Sequence, residues 1–199
     1  MRKLNLIVIF SLLLAQITLL ESASKKPVKA FNGMVVSSDS LATKVGIEIL
    51  KKGGNAVDAA VAVGFALAVT YPQAGNIGGG GFMVIRMANG ETVTIDYREK
   101  APLKAHEDMF LDENGNFIPE KSQIGHLSVG VPGSVAGLLL ALEKYGTMSR
   151  KEVLNPAIKL AEKGFIVNEG LANAFKNAFE HFKKFPSTMK YFSKKWRTI

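Results

Sequence analysis

The sequence predicts a mixed α/β (α+β) fold, on three observations. Between Phe82 and Tyr97 two strand-like segments flank Ala88-Asn89-Gly90, and Asn-Gly supplies the positive φ that a tight hairpin turn demands. Upstream, Leu41, Val45 and Ile49 recur at helical spacing, and an uncharged, alanine-rich stretch follows Asn55. Downstream, Ser134 to Tyr145 and Arg150 to Lys163 carry helical patterns closed by Gly146 and Gly164.

In chain order, Arg2 and Lys3 precede an apolar run from Leu4 to Leu20, and Ser22-Ala23-Ser24 offers small residues where a signal peptidase reads. Residues 1–24 are therefore expected to be a secretory signal peptide. The competing reading is a retained anchor, although the run sits at the lower edge of the roughly 17–25 residues that span a bilayer. The chain has no cysteine, so an exported product, periplasmic or secreted, needs no disulfides. The formal charge is +8. The excess is concentrated in Lys176, Lys183, Lys184, Lys190, Lys194, Lys195 and Arg197, which face only Glu180 among acids. Such a face could meet nucleic acid or anionic lipid, but the signal peptide argues against nucleic acid and a solvated basic helix accounts for it. Residues 25–199 suffice for one domain with a sizeable core.

Gly33 to Ser37 reads as a first strand. Asp39 or Ser40 can cap the next helix, which Lys51, Lys52 and Gly53-Gly54 close with favourable charge and an αL-capable residue. Asn55 caps a second helix, with Asp58 at its positive end; from Ala59 to Val69 the segment lacks charge and is expected to be buried on every side. A carboxylate at that position is structural more often than catalytic. Gly78 to Gly81 lack the Cβ that forbids positive φ, so they can turn sharply or admit close approach. They fit neither a dinucleotide fingerprint, since Met83 stands where the third glycine would fall, nor a P-loop, since no Lys-Ser/Thr follows.

In the hairpin's second strand polar Thr92, Thr94 and Asp96 alternate with apolar Val93, Ile95 and Tyr97, so one face is buried. Arg98 stands where that strand ends, before Glu99, Lys100, Ala101 and Pro102. Its guanidinium could hold a carboxylate by two parallel hydrogen bonds, or be an ordinary surface cation paired with Asp96 or Glu99. Asp112-Glu-Asn-Gly-Asn116 marks a turn without EF-hand spacing, and His106, His126 and His181 lack partners at metal spacing, so no metal site is expected. Leu127 to Val131 is a strand candidate leading through Pro132-Gly133 into the Ser134 helix; Ser134 lacks a nucleophile elbow. Pro156 is expected to break the Arg150–Lys163 helix or to start a second one capped by Asn155. Phe175, Phe179, Phe182 and Phe185 follow at helical intervals.

Four stretches together resemble a known family: Asn55-Ala-Val-Asp-Ala-Ala-Val-Ala62, Gly75-Asn-Ile-Gly-Gly-Gly-Gly-Phe-Met83, Asp96-Tyr-Arg-Glu-Lys-Ala-Pro102 and Gly130-Val-Pro-Gly-Ser-Val-Ala-Gly137. In this order they are similar to the successive motifs of the γ-glutamyltranspeptidases, or glutathione hydrolases, over about Asn32 to Phe165. The resemblance implies the front part of the large subunit of an N-terminal nucleophile hydrolase, an αββα sandwich. It implies cleavage of γ-glutamyl amides such as glutathione by a threonine freed through self-processing, with passage of the acyl group to water, amino acids or peptides. No cofactor is implied. Arg98 then matches the arginine that grips the substrate's α-carboxylate, with the glycine run supporting it by packing.

The departure is equally specific. The family nucleophile lies in a Thr-Thr-His motif, and Thr18, Thr43, Thr70, Thr92, Thr94, Thr147, Thr188 and Thr198 all lack it. The chain is therefore expected to be a truncated or frameshifted member, or half of a split gene, inactive and poorly folded without a small subunit. The alternative is a non-catalytic exported module using Arg98 to bind acidic amino acids or peptides.

Overall fold

The computed structural model describes residues 27–192. The expected signal peptide and the basic tail beyond Phe192, with Lys194, Lys195 and Arg197, lie outside the described residues. These divide after Met34 into a short leading piece and a compact unit that begins at Val35. Within that unit the fold is α+β: helices pack on one face of a single two-stranded antiparallel sheet.

Helix α1 (Ser40–Lys51) starts at Asp39, whose carboxylate accepts from the backbone N–H groups of Leu41 and Ala42 at 2.9 and 3.0 Å. It ends through Lys52 and Gly53, which takes φ +92°. Helix α2 (Ala56–Thr70) begins with a capping box, Asn55 Oδ1 accepting from Val57 and Asp58 while Asp58 accepts from the Asn55 N–H. It is the centre of the core. Val57, Ala59, Val61, Ala62, Val63, Phe65 and Ala66 are buried; Ala60 is exposed, so the all-round burial expected of its uncharged sequence is not quite complete. Ile49, Val61 and Val153 are fully buried, each contributing about 1.5–3 kcal/mol through removal from water.

Strands β1 (Phe82–Arg86) and β2 (Thr92–Asp96) pair with Phe82 opposite Asp96 and Arg86 opposite Thr92. The turn takes φ +90° at Gly90. Ile85 and Ile95 are buried, with Met83 and Tyr97 packed on the same core, whereas Phe82 and Val84 point to the open face. Helix α3 (Pro119–Gln123) and a 3-10 turn (His126–Ser128) precede α4 (Ser134–Tyr145). Helix α5 (Arg150–Lys163) opens on a capping box between Ser149 and Glu152. Helices α6 (Glu169–Phe182) and α7 (Pro186–Phe192) follow, with the rings of Phe175, Phe182 and Phe192 clustered between them.

Three local expectations fail. Residues 33–37 join no ladder, because no strand lies beside them among the described residues. Leu127 to Val131 is not a strand: its first part is the 3-10 turn, and Val131 alone bridges to Lys100. Pro156 neither breaks nor starts a helix; α5 runs through it, since burial of Val153 and Ala157 on either side rewards continuity over the one backbone hydrogen bond that proline forfeits.

Candidate functional site

The four glycines Gly78 to Gly81 are not a positive-φ turn, since none of them has φ above zero. Close approach explains Gly80 and Gly81 instead. A Cβ on Gly81 would stand 2.9 Å from the ring of Tyr97, and one on Gly80 would overlap the Glu99 backbone. The Tyr97 N–H donates to the Gly81 carbonyl at 3.0 Å, prolonging the hairpin by one bond past Asp96. The Gly79 carbonyl accepts from both Gly133 N–H and Ser134 N–H, each at 2.9 Å. One carbonyl thus satisfies two backbone donors at the start of α4, groups that a helix cannot pair internally.

From the other side, Gly133 and Gly137 stand one helical turn apart and both face Tyr97: a side chain at either would collide with its backbone or its ring. Tyr97 is thereby held between the glycine run and α4, and burial raises its phenol pKa. Lys100 and Val131 then exchange two backbone hydrogen bonds, 3.1 and 2.8 Å long. The segment Tyr97–Lys100 is fixed at both ends.

Arg98 lies in the middle of that fixed segment. Its N–H donates to Asp96 Oδ1 at 3.0 Å, and its side chain is 67% exposed, with Nε 3.9 Å from Glu99 Oε1. Glu99 runs past Gly130, where a Cβ would stand 3.1 Å from its Cγ. At that separation and exposure the Arg98–Glu99 pair is weak, so the guanidinium is left largely unconsumed on a fixed stretch of backbone. A cleft of about 260 Å³ opens beside it, lined by Asp96, Arg98 and Lys100 and by Val131, Pro132 and Leu140. A larger groove of about 620 Å³ runs between the start of α2 and β1, but Arg86 is its sole charged lining residue, so it carries little chemistry.

Asp58 takes no part in this site. Its buried carboxylate accepts from Asn55 N–H (2.8 Å), Thr147 N–H (3.0 Å), Thr147 Oγ (2.7 Å) and Met148 N–H (3.1 Å), while Asn55 Nδ2 donates to the Tyr145 carbonyl at 2.7 Å. Burial pushes its pKa up, and the bonds from Thr147, Asn55 and Met148 more than offset that, so it lies below the ordinary carboxylate value. It is a structural clasp between α2 and the α4–α5 junction. Ser134 is buried at the start of α4, and among the described residues no histidine hydrogen-bonds to it. Among the described residues no cluster of three or more histidine or acidic side chains could hold a metal.

The sequence drew attention to Arg98 and to four motifs, two of them rich in glycine. It missed that Gly133 and Gly137 exist to receive Tyr97, although their spacing of four within a helix was the available signal. Glu99 as the neighbour of Arg98 was among the pairings considered, and the Asp58–Thr147 contact was not foreseeable from either residue.

Comparison with known proteins identifies the family and the fold. A family model described as Gamma-glutamyltranspeptidase matches residues 42–199. The glutathione hydrolase proenzyme of Escherichia coli K12 is 63% identical over 150 residues, 75% of this chain and 26% of that one. That of Pseudomonas sp. strain A14 is 55% identical over 163 residues, 82% and 28% of the respective chains. The crystal structure of Helicobacter pylori γ-glutamyltranspeptidase superposes with a TM-score of 0.83 at 54% identity, covering 85% of this chain and 49% of that one. The chain therefore spans about a quarter of the length of the curated relatives it matches.

Proposed function

The chain belongs to the γ-glutamyltranspeptidase family, and from that premise we propose that it supplies the substrate-gripping part of a glutathione hydrolase acting on γ-glutamyl amides. Arg98 holds the α-carboxylate of the γ-glutamyl group through two parallel hydrogen bonds. The observation that carries this reading is the fixation of the Tyr97–Lys100 backbone described above, which places a largely unconsumed guanidinium at the mouth of a cleft. A donor carried on a fixed backbone costs less ordering entropy when the ligand arrives than one on a mobile loop.

The nucleophile comes from elsewhere. No threonine here precedes a histidine, and the aligned stretch covers only 26% and 28% of the curated relatives. In this reading a threonine on a second segment attacks the γ-carbonyl, an acyl-enzyme forms with loss of the amine, and water or an amino acid releases glutamate or a new γ-glutamyl product. The exposed side of the hairpin, with Phe82 and Val84, would receive the second sheet of an αββα sandwich, so a small subunit is the expected partner. Export through residues 1–24 belongs to the same reading; among the described residues no helix is long and apolar enough to cross a membrane.

The test is complementation. The chain is coexpressed with the part of the Escherichia coli proenzyme that it does not align with, and release of nitroaniline from γ-glutamyl-4-nitroanilide is followed. Activity that falls at least about a hundredfold in Arg98→Met, with a raised KM partly restored in Arg98→Lys, supports the reading; about 3 kcal/mol is the value of a charged bidentate contact. Full activity in Arg98→Met, or none with any partner segment, overturns it.

A further inference from the structure

We propose that the pair of helices α6 and α7 is a peripheral docking surface for an anionic phospholipid bilayer. The inference is independent of the reading of Arg98, which β2 and α4 position. From residue 176 onward Lys176, Lys183, Lys184, Lys190, Lys194, Lys195 and Arg197 stand against Glu180 alone, so 7 − 1 = +6 of the chain's +8 resides in this stretch. Glu180 is taken by Lys183 at 2.7 Å. Among the described residues, Lys176, Lys184 and Lys190 have no carboxylate within ion-pair range.

Charge alone would make these helices merely solvated, but the structure adds aromatic rings set among the cations. Phe175, Phe182 and Phe192 close on one another, with centroids 5.6 to 6.3 Å apart. Phe179 and Tyr191 remain 37% and 76% exposed. Each has an ammonium beside it: Lys183 Nζ lies 5.4 Å from the Phe179 centroid, and Lys190 Nζ lies 5.7 Å from that of Tyr191. Along α6 and its C-cap, Lys176, Phe179 and Lys183 are spaced three and four residues apart, so they share one face. Ring beside ammonium suits the boundary of a bilayer, where the ring enters the headgroup layer and the lysine reaches the phosphates. The sequence continues in the same composition with Lys194-Lys195-Trp196-Arg197, and tryptophan and tyrosine concentrate at membrane interfaces. Nucleic acid also offers phosphates, but in the reading of residues 1–24 as an export signal the chain meets lipid instead.

The experiment is cosedimentation of the 199-residue chain with vesicles of equimolar phosphatidylglycerol and phosphatidylcholine, and with vesicles of phosphatidylcholine alone. The apolar run Leu4 to Leu20 can enter either kind, so the quantity read is the ratio of the two partition coefficients. A lysine near an anionic surface strengthens binding about fivefold, so four of them predict a ratio of at least about a hundred, falling steeply in 0.5 M NaCl. Lys176→Gln with Lys183→Gln should lower the ratio about twenty-fivefold. Phe179→Ser with Tyr191→Ser should weaken partition onto the anionic vesicles at least about tenfold. All four side chains are exposed, and an unchanged circular dichroism spectrum excludes misfolding as the cause. The ratio and its salt dependence are read on the unsubstituted chain, so they decide the matter even where a variant unfolds. A ratio near one, a ratio indifferent to the lysine substitutions, or partition indifferent to the ring substitutions overturns the proposal. So does tighter binding to a single-stranded oligonucleotide than to the anionic vesicles, which assigns the face to nucleic acid. Self-association that the ring substitutions abolish, without vesicle binding, overturns it in favour of a second copy of the chain.

Discussion

Replacing Asp58 should unlatch the helical layer. The carboxylate is fully buried and receives three backbone N–H groups and one hydroxyl, from Asn55, Thr147 and Met148. Asp58→Asn keeps the shape but removes the charge and turns one acceptor into a donor that faces other donors. Each buried donor left unpaired costs about 1–3 kcal/mol, and loop 146–148 can recover part of this through water, so a net loss of about 3–5 kcal/mol is expected. That is a large share of the roughly 5–15 kcal/mol that stabilises a typical domain. In urea, with a slope near 2 kcal/mol per molar, the midpoint should fall by about 2 M. The pH dependence gives an independent check. The folded pKa of Asp58 is depressed, so its contribution is fully present above the ordinary value of 3.8 and is lost as the pH falls through the folded value. The gap between wild type and Asp58→Asn should therefore close below about pH 4. A midpoint shift under about 0.3 M at pH 7, or a gap equally wide at pH 7 and pH 3, would refute the assignment of Asp58 as the clasp.

Other substitutions probe neighbouring parts of the same argument. Gly137→Ala places a methyl against Cβ and Cγ of Tyr97, the least movable part of that side chain, and should cost about 1–3 kcal/mol in thermal denaturation while depressing affinity at Arg98. Ser149→Ala removes the cap of α5, whose hydroxyl accepts from Glu152 N–H at 3.3 Å and donates to Glu152 Oε2 at 2.6 Å; a loss of about 1 kcal/mol is expected in urea unfolding. Pro156→Ala should act in the opposite sense. It restores a backbone donor inside a continuous helix, and a gain of about 1–3 kcal/mol by calorimetry is expected, the unfolded chain's added freedom taking back part of the effect.

Several elements were legible in the sequence because they depend on near neighbours. Asp39 and Asn55 cap their helices with side chains that reach two or three residues ahead, and Asn89-Gly90 closes the hairpin by its own backbone preference. The alternation from Thr92 to Tyr97 fixed which face of β2 is buried. Arg98 was legible as a candidate through its motif, at the end of a strand, before any contact was known. By contrast, which face of β1 is buried was not legible: Phe82 to Met87 is an apolar run without alternation, which carries no sign of direction, and the structure leaves Phe82 and Val84 on the open face.

The sequence by itself determined the caps, the hairpin, the α+β class and the motif that contains Arg98, because each is written in residues a few positions apart. Only the tertiary structure decided what the glycines are for. Gly81, Gly133 and Gly137 take ordinary backbone angles, and their lack of side chains acquires a reason when Tyr97 is packed between segments some 50 residues apart in the chain. The same holds for Asp58 and Thr147, joined across 89 positions, and for Pro156, where burial on both sides overrode the local preference for a break. Local propensities act within a turn or two, whereas close approach and burial depend on which distant surface arrives, and that is settled by the packing of the whole unit.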